Sequence, residues 1–258
     1  MDLGIAGRTA LVLGGTRGLG LACARALAEA GVHVLLNGRD AAHGEATARG
    51  LPAQAQFVPG DIGDEHQRAR LIEAVSRIGM PSIVVTNAGG PPAAPFEETQ
   101  LAAWRTSHET NVIGPLEVVR AFLPAMRAAH FGRILNITSF VVKELYPNMA
   151  LSNSLRVGLT GAMGSLAREV APHGITVNGL LPGLMDTGAL QRVIADRRKR
   201  TGQDEAAVRE DMARSIPMQR LGTAEDFGGL CAFLASVHAS YITGQNICVD
   251  GGLTRNVI

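Results

Sequence analysis

Short β-branched or leucine-rich runs recur along this chain, each followed by a longer alanine-rich segment, and that alternation restricts the fold more than any other feature. Strand-like runs lie at Thr9–Leu13, Val32–Leu36, Ile83–Thr86, Arg133–Thr138, Ile175–Leu180 and Asn246–Val249, with a weaker one at Gln56–Val58. Helical text fills most of the intervals, as at Leu19–Ala30 and Ser152–Val170. The runs are apolar throughout, so both faces of the sheet they form must be covered. The expected class is α/β, a parallel sheet with helices on both faces. Hydrophobic residues make up 46% of the chain and charged residues 18%, enough for a large core. No repeat, linker or composition break divides residues 1–258, which read as a single domain. The charged stretch Leu184–Pro217 is the least sheet-like and follows a strand end, where such folds carry binding loops. It reads either as a lid over a substrate site or as a solvated helical excursion.

Charge and cysteines exclude several function classes. The net charge is +1, from 24 basic and 23 acidic residues, so neither nucleic acid nor a membrane surface is an expected partner. Cys23, Cys231 and Cys248 are odd in number, dispersed and without metal spacing. That pattern points to a reducing cytoplasm. No paired histidines or carboxylate cluster suggest a metal. The N-terminus has no apolar leader, and no run reaches the roughly 18 apolar residues of a membrane-spanning helix. The run Arg197-Arg198-Lys199-Arg200 reads as a solvated helix face rather than a docking patch, because acidic residues follow it.

The first strand leads into Gly14-Gly15-Thr16-Arg17-Gly18-Leu19-Gly20 and then an Ala/Leu-rich helix. Glycines at 14, 18 and 20 let the backbone turn sharply and approach a pyrophosphate, with the positive end of the next helix aimed at it. The strand before and the helix after supply the context a dinucleotide-binding turn requires. At the end of the second strand, an acidic side chain would bind the adenosine ribose and repel a 2′-phosphate. Asn37, Gly38 and Arg39 stand there instead. Arg39 and Arg17 can offer guanidinium forks to phosphate, so NADP(H) is expected rather than NAD(H). Against this, both arginines could be ordinary solvated cations, and Asp40 could be the missing acid. Asp40 opens a helix, however, and a helix N-cap explains it equally well.

The G-x-x-x-G-x-G spacing is the form found in short-chain dehydrogenases/reductases, and the chain resembles that family along nearly its whole length. Thr86-Asn87-Ala88-Gly89 resembles the family's N-N-A-G motif, Asn111 its helix asparagine, and Ile137-Thr138-Ser139 the segment carrying its serine. Leu181-Pro182-Gly183 with Thr187 resembles the nicotinamide-side P-G motif, and Tyr241 through Gly252 the family's last strand. Asp61-Ile62 resembles its adenine-contacting pair. The resemblance implies one doubly wound Rossmann-type sheet of about seven parallel strands. It also implies a dimer or tetramer built through helices that include Leu101–Ala129 and Ser152–Val170. Trp104, the only tryptophan, reads as packing at a subunit or helix contact.

The resemblance also exposes a departure. The family carries a tyrosine thirteen residues after its serine and a lysine one helical turn later, the pair that handles the proton during hydride transfer. Counting from Ser139 arrives at Ser152 and Arg156. A serine hydroxyl is shorter and far less acidic than a phenol, and a guanidinium is a poor proton relay. Arg156 can still hold the nicotinamide ribose. Lys143 and Tyr146 are the nearby alternative acids, and Ser152 acting through water is a third. Two functions therefore stand side by side. One is an NADP(H)-dependent oxidoreductase acting on a carbonyl or alcohol, with Ser139, Asn111, Ser152, Arg156 and Lys143 as its catalytic candidates. The other is an NADP(H)-binding regulatory or structural protein that has lost turnover.

Overall fold

The computed structural model describes residues 1–52 and 54–255. Seven strands form one sheet: β1 (Thr9–Val12), β2 (His33–Gly38), β3 (Ala55–Pro59), β4 (Ile83–Thr86), β5 (Gly132–Ile137), β6 (Ile175–Pro182) and β7 (Asn246–Val249). Their order is β3-β2-β1-β4-β5-β6-β7 and every pairing is parallel. The helices are α1 (Gly18–Glu29), α2 (Ala41–Arg49), α3 (Glu65–Ile78), α4 (Leu101–His108), α5 (Gly114–Ala128), α6 (Ala150–Val170), α7 (Gly188–Thr201), α8 (Glu205–Arg214) and α9 (Ala224–Ala235). The chain starts at the centre, winds outward to β3, then returns to β4 and winds the other way. The loops after β1 and β4 consequently diverge and leave a crevice at the carboxyl ends of the strands, where α/β sheets bind ligands.

Alternate residues of each strand feed opposite layers, as the two-residue period of a strand requires. Ala10 and Val12 of β1 join an apolar cluster with Leu27, Val85, Phe227 and Leu234 beneath α1 and α9. Leu11 and Leu13 join Leu71, Phe122, Leu159 and Val177 beneath α3, α5 and α6. On the first face, α1 and α9 approach very closely: a Cβ on Gly228 would lie 2.7 Å from the Ala22 carbonyl oxygen. The same contact brings the fully buried thiols of Cys23 and Cys231 together. Hydrogen bonding to Cys23, and then burial, hold the Cys231 thiol well above its usual pKa.

The segment expected as one helix over Leu101–Ala129 is helical throughout but not uniform. Between α4 and α5, residues Glu109–Ile113 form a wide π turn, and Asn111 sits inside it. Arg68 of α3 anchors this irregular stretch from below. Its side chain is 2% exposed, yet it donates to the Ile62 carbonyl at 2.6 Å and to Glu117 at 2.5 Å, with Glu109 at 3.8 Å. One buried cation thus joins the loop after β3 to both sides of the π turn. Arg68→Ala is expected to cost about 3 kcal/mol, since it leaves a cavity and takes the donor from the buried Ile62 carbonyl. Chemical unfolding that shows under about 0.5 kcal/mol of loss, the level of an ordinary surface change, would contradict that assignment.

Leu184–Pro217 becomes the α7–α8 hairpin. It carries its own small core of Leu190, Ile194, Val208 and Met212, backed by Leu184 and Leu221. Its base is closed by a bridge between Met185 and Gly222 and by Asp186, which pairs with Arg209 and Gln191. Arg197, Arg198 and Arg200 pair with Asp211, Glu205 and Asp196, consistent with a solvated helix face. Among the described residues, no helix is long and apolar enough to cross a membrane, and no group of three or more His, Cys, Asp or Glu could hold a metal ion.

Candidate active site at the carboxyl ends of the strands

The glycine turn follows β1 and is built as its sequence demands. Gly14 and Gly18 both take φ of 54°, the left-handed region where a side chain is strained. At Gly20 the demand is for space instead, because a Cβ there would lie 2.3 Å from the Gly14 carbonyl oxygen. Asn87, just after β4, donates from Nδ2 to that same oxygen at 3.1 Å and so ties the two diverging loops together. The Gly15 amide donates to Asn37 at 3.0 Å. Arg17 caps α1 in an extended conformation with no side-chain partner for the helix's first amides, the arrangement that receives an anion. Thr16 and Leu19 complete the turn, which fits a pyrophosphate on chain geometry alone.

At the outer edge, the structure separates residues that had been grouped together. Asn37 is 2% exposed, and its amide donates to the carbonyls of Val58 and Gly60. It fastens β2 to the end of β3 and does not present its side chain to an adenosine ribose. Gly38 and Arg39 occupy that corner. Arg39 is 79% exposed and lies 3.7 Å from Asp61, while Arg17 is 69% exposed and lies 3.3 Å from Asp40. Asp61 also accepts the Gly63 amide, and Ile62 beside it is buried. Asp40 does cap α2, accepting the His43 amide.

Deeper in the crevice, β4, β5, α6 and the π turn converge. Asn87, Ala88, Asn111, Ile137 and Arg156 line one small cavity, and Gly89 beside it has open space at its Cβ position. Asn111 is 7% exposed and its amide donates to Ser107, one turn back. Ser139 follows β5 by two residues, and its Oγ accepts the Val141 amide at 3.3 Å, which leaves the hydroxyl proton free to donate. Ser152, in the first turn of α6, is 3% exposed, and its Oγ accepts from Arg156 Nε at 3.1 Å. The Arg156 guanidinium also donates to the Thr138 carbonyl, next to Ser139. Burial lowers Arg156 to about 10, so it remains charged at neutral pH. Spacing alone did not show that one guanidinium holds both serine-bearing segments.

The alternative acids lie differently. Tyr146 is 47% exposed and packs edge-on against Phe140, ring centroids 5.8 Å apart. Lys143 ends the short 3-10 turn after Ser139, near enough to Cys248 to oppose the rise that burial causes in that thiol. Pro182 ends β6, and Gly183 lets the turn after β7 close, since a Cβ there would lie 2.6 Å from Asp250. Thr187 caps α7 and its side chain faces Gly18, bringing the base of the hairpin over the glycine turn. Trp104 packs against the cluster of Val112, Leu151 and Leu155, a helix contact within the chain.

Known proteins resemble this chain along nearly its whole length. Residues 14–254 match the family profile described as enoyl-(acyl carrier protein) reductase. The chain is 30% identical to the NADPH-dependent reductase BacG of Bacillus subtilis over 97% of its length and 99% of that protein. It is 32% identical to the 3-oxoacyl-[acyl-carrier-protein] reductase FabG of Staphylococcus epidermidis, over 95% and 98%. The crystal structure of L-sorbose reductase from Gluconobacter frateurii, complexed with NADPH and L-sorbose, superposes with a TM-score of 0.94 at 27% identity, covering all of both chains. The sheet order, the glycine turn and a match spanning 241 of the 258 residues lead to one assignment: the chain belongs to the short-chain dehydrogenases/reductases.

Proposed function

We propose that this protein is an NADP(H)-dependent oxidoreductase that interconverts a carbonyl and an alcohol, with the proton handled by a group other than a tyrosine. The observation that carries this reading is the meeting of two half-sites in one crevice. Gly14, Thr16, Arg17, Gly18, Leu19 and Gly20 would hold the pyrophosphate, with Arg39 at the 2′-phosphate and Asp61 and Ile62 toward the adenine. Asn87, Ala88, Gly89, Pro182, Gly183, Thr187 and Arg156 would hold the nicotinamide half. The cofactor, when bound, supplies the hydride.

The chain's own residues do the rest. Ser139 donates a hydrogen bond from its hydroxyl to the substrate oxygen. Ser152, polarised by the Arg156 Nε–H, offers a second hydroxyl on the same side. The Arg156 charge stabilises negative charge building on that oxygen. Neither hydroxyl matches a tuned phenol as an acid, so the proton comes from solvent through Ser152 or from Lys143. Asn111, held in the π turn, supports the water path. The α7–α8 hairpin acts as the lid of a single domain. The family likeness supports a dimer or tetramer and a small-molecule substrate, and three unpaired cysteines support a cytoplasmic location.

A second reading keeps the nucleotide and drops the chemistry. Ser152 at the phenol's position favours it: a protein that binds NADP(H) as a regulatory or structural ligand. Parallel fluorescence titrations with NADPH and NADH test the cofactor assignment that both readings share. NADPH is expected to bind at least about tenfold tighter, and Arg39→Asp is expected to erase that difference. An unchanged NADPH-to-NADH ratio in Arg39→Asp would remove Arg39 from the site. NADPH binding without consumption across a panel of ketones and α-diketones would favour the second reading.

A further inference from the structure

Arg156 enters the crevice with one nitrogen uncommitted. Its Nε donates to Ser152 Oγ at 3.1 Å, and its Nη1 donates to the Thr138 carbonyl and, at 3.5 Å, to that of Ile137. These bonds fix the plane of the guanidinium against the end of β5. Among the described residues none accepts from Nη2, and no carboxylate pairs with the charge. Nη2 is therefore the group through which Arg156 meets a ligand. It shares a small cavity with Asn87, Ala88 and Asn111, and Gly90 of the loop after β4 passes beside it. The backbone does not account for a glycine there. The φ of Gly90 lies outside the left-handed region, and the residue is exposed. Its chain neighbours aside, the only described heavy atom within 4 Å of its Cβ position is Arg156 Nη2, at 3.5 Å, whereas nothing meets that position at Gly89. The loop has little freedom to carry a new side chain away. Asn87 ties its start to the glycine turn, Ala94 pairs with Met149 at the head of α6, and Pro91 and Pro92 restrict φ between them.

We propose that Gly90 is a positioning residue for Arg156: by carrying no side chain, it leaves Nη2 room to reach the nicotinamide half of the cofactor. The inference rests on the reading above, in which Arg156 holds that half. A methyl group 3.5 Å from Nη2 makes an ordinary contact, so alanine at this position leaves the guanidinium where it is. A β-branched side chain adds two further carbons and has few rotamers in which to turn them away. Nη2 must then move. Because the guanidinium is planar and its other two nitrogens are held, that movement also strains the bonds to Ser152 and Thr138. A lysine carries one ammonium on a flexible stem and has no rigid fork to collide with the loop. A branched residue at 90 therefore does harm only when an arginine stands at 156.

Calorimetric titrations of the full chain with NADPH and with adenosine 2′,5′-bisphosphate, which has no nicotinamide half, test this. They would compare wild type, Gly90→Ala, Gly90→Val, Arg156→Lys and the Gly90→Val/Arg156→Lys double variant, with Gly90→Ile replacing Gly90→Val if that chain does not fold. Gly90→Val is expected to bind NADPH about tenfold more weakly than wild type, and the bisphosphate within about twofold. Gly90→Ala stays within about twofold of wild type for both ligands. In the Arg156→Lys background, adding Gly90→Val changes NADPH affinity by less than about twofold, because the clash runs through the guanidinium. Unchanged NADPH binding in the branched variant would overturn the proposal, as would a loss that persists in the Arg156→Lys background. An equal loss of bisphosphate binding would overturn it too, since a collapsed loop rather than a displaced Arg156 would then be the cause. Wild-type protein that binds neither ligand would overturn the cofactor reading itself, and this inference with it.

Discussion

Gly20→Ala is expected to lose nucleotide binding by about a hundredfold, although it adds a single methyl group. That methyl would lie 2.3 Å from the Gly14 carbonyl oxygen and 2.8 Å from Asn87 Nδ2. Neither neighbour can give way cheaply. Gly14 is held in the left-handed region by the turn, and Asn87 is the side chain that ties that carbonyl to the loop after β4. Overpacking of this kind costs about 1–3 kcal/mol where the backbone must move. Here the backbone that moves is the surface meant to meet the pyrophosphate. Relief of the clash breaks the Asn87 tie between the loops after β1 and β4. A titration with NADPH, paired with a melting curve, checks both halves of the argument. Binding within twofold of wild type at an unchanged melting temperature would show that the turn does not contact the nucleotide.

The second large effect is a gain. Ser152→Tyr combined with Arg156→Lys is expected to raise carbonyl reduction by about a hundredfold or more, the range a positioned general acid contributes. A phenol near pH 10 can be tuned toward neutrality, whereas a serine hydroxyl cannot. Ser152→Tyr alone should gain less. The Arg156 guanidinium is anchored to the Thr138 carbonyl and to an oxygen at the depth of Ser152 Oγ, so it does not follow a phenol oxygen lying further out. A lysine on its unbranched stem can. NADPH consumption with cyclic ketones and α-diketones, measured beside NADPH affinity, separates chemistry from binding. A double variant that binds NADPH normally and reduces nothing faster than wild type would mean that position 152 does not face the reacting oxygen.

Most of the fold could be read from the chain because the signals are local. β4 and β7 occupy the residues their apolar runs indicate, and the weak run at Gln56–Val58 becomes β3 with one more residue at each end. The glycine turn was legible for the same reason, since strand, glycines and helix are contiguous. What escaped depends on distant partners. The buried Asn37 amide answers to carbonyls more than twenty residues away, so its position at a strand end misled. Arg68 and His43 look like ordinary helix residues until the fold brings Glu117 and the Thr16 carbonyl to them. The π turn left no periodic trace, because apolar residues continue on both sides of it. Gly114 and Pro115 were its local hints: a Cβ at 114 would strike the Ile62 carbonyl at 2.5 Å, and a proline lacks the N–H that a continuous α-helix needs.

That π turn makes the chain intolerant of miscounting. Each residue in a helix advances the side chains by about 100°, and the wide turn at Glu109–Ile113 absorbs one residue more than an α-helical path would use. Deleting any one of these five would remove the surplus residue between α4 and α5. Everything upstream would then rotate by roughly a quarter-turn against α6. Trp104 would leave its seat against the cluster of Val112, Leu151 and Leu155, the last two in the first two turns of the helix that carries Ser152 and Arg156. The surplus residue works as a phase setting between two rigid rods, and a chain one residue shorter could keep every catalytic side chain and still aim them wrongly.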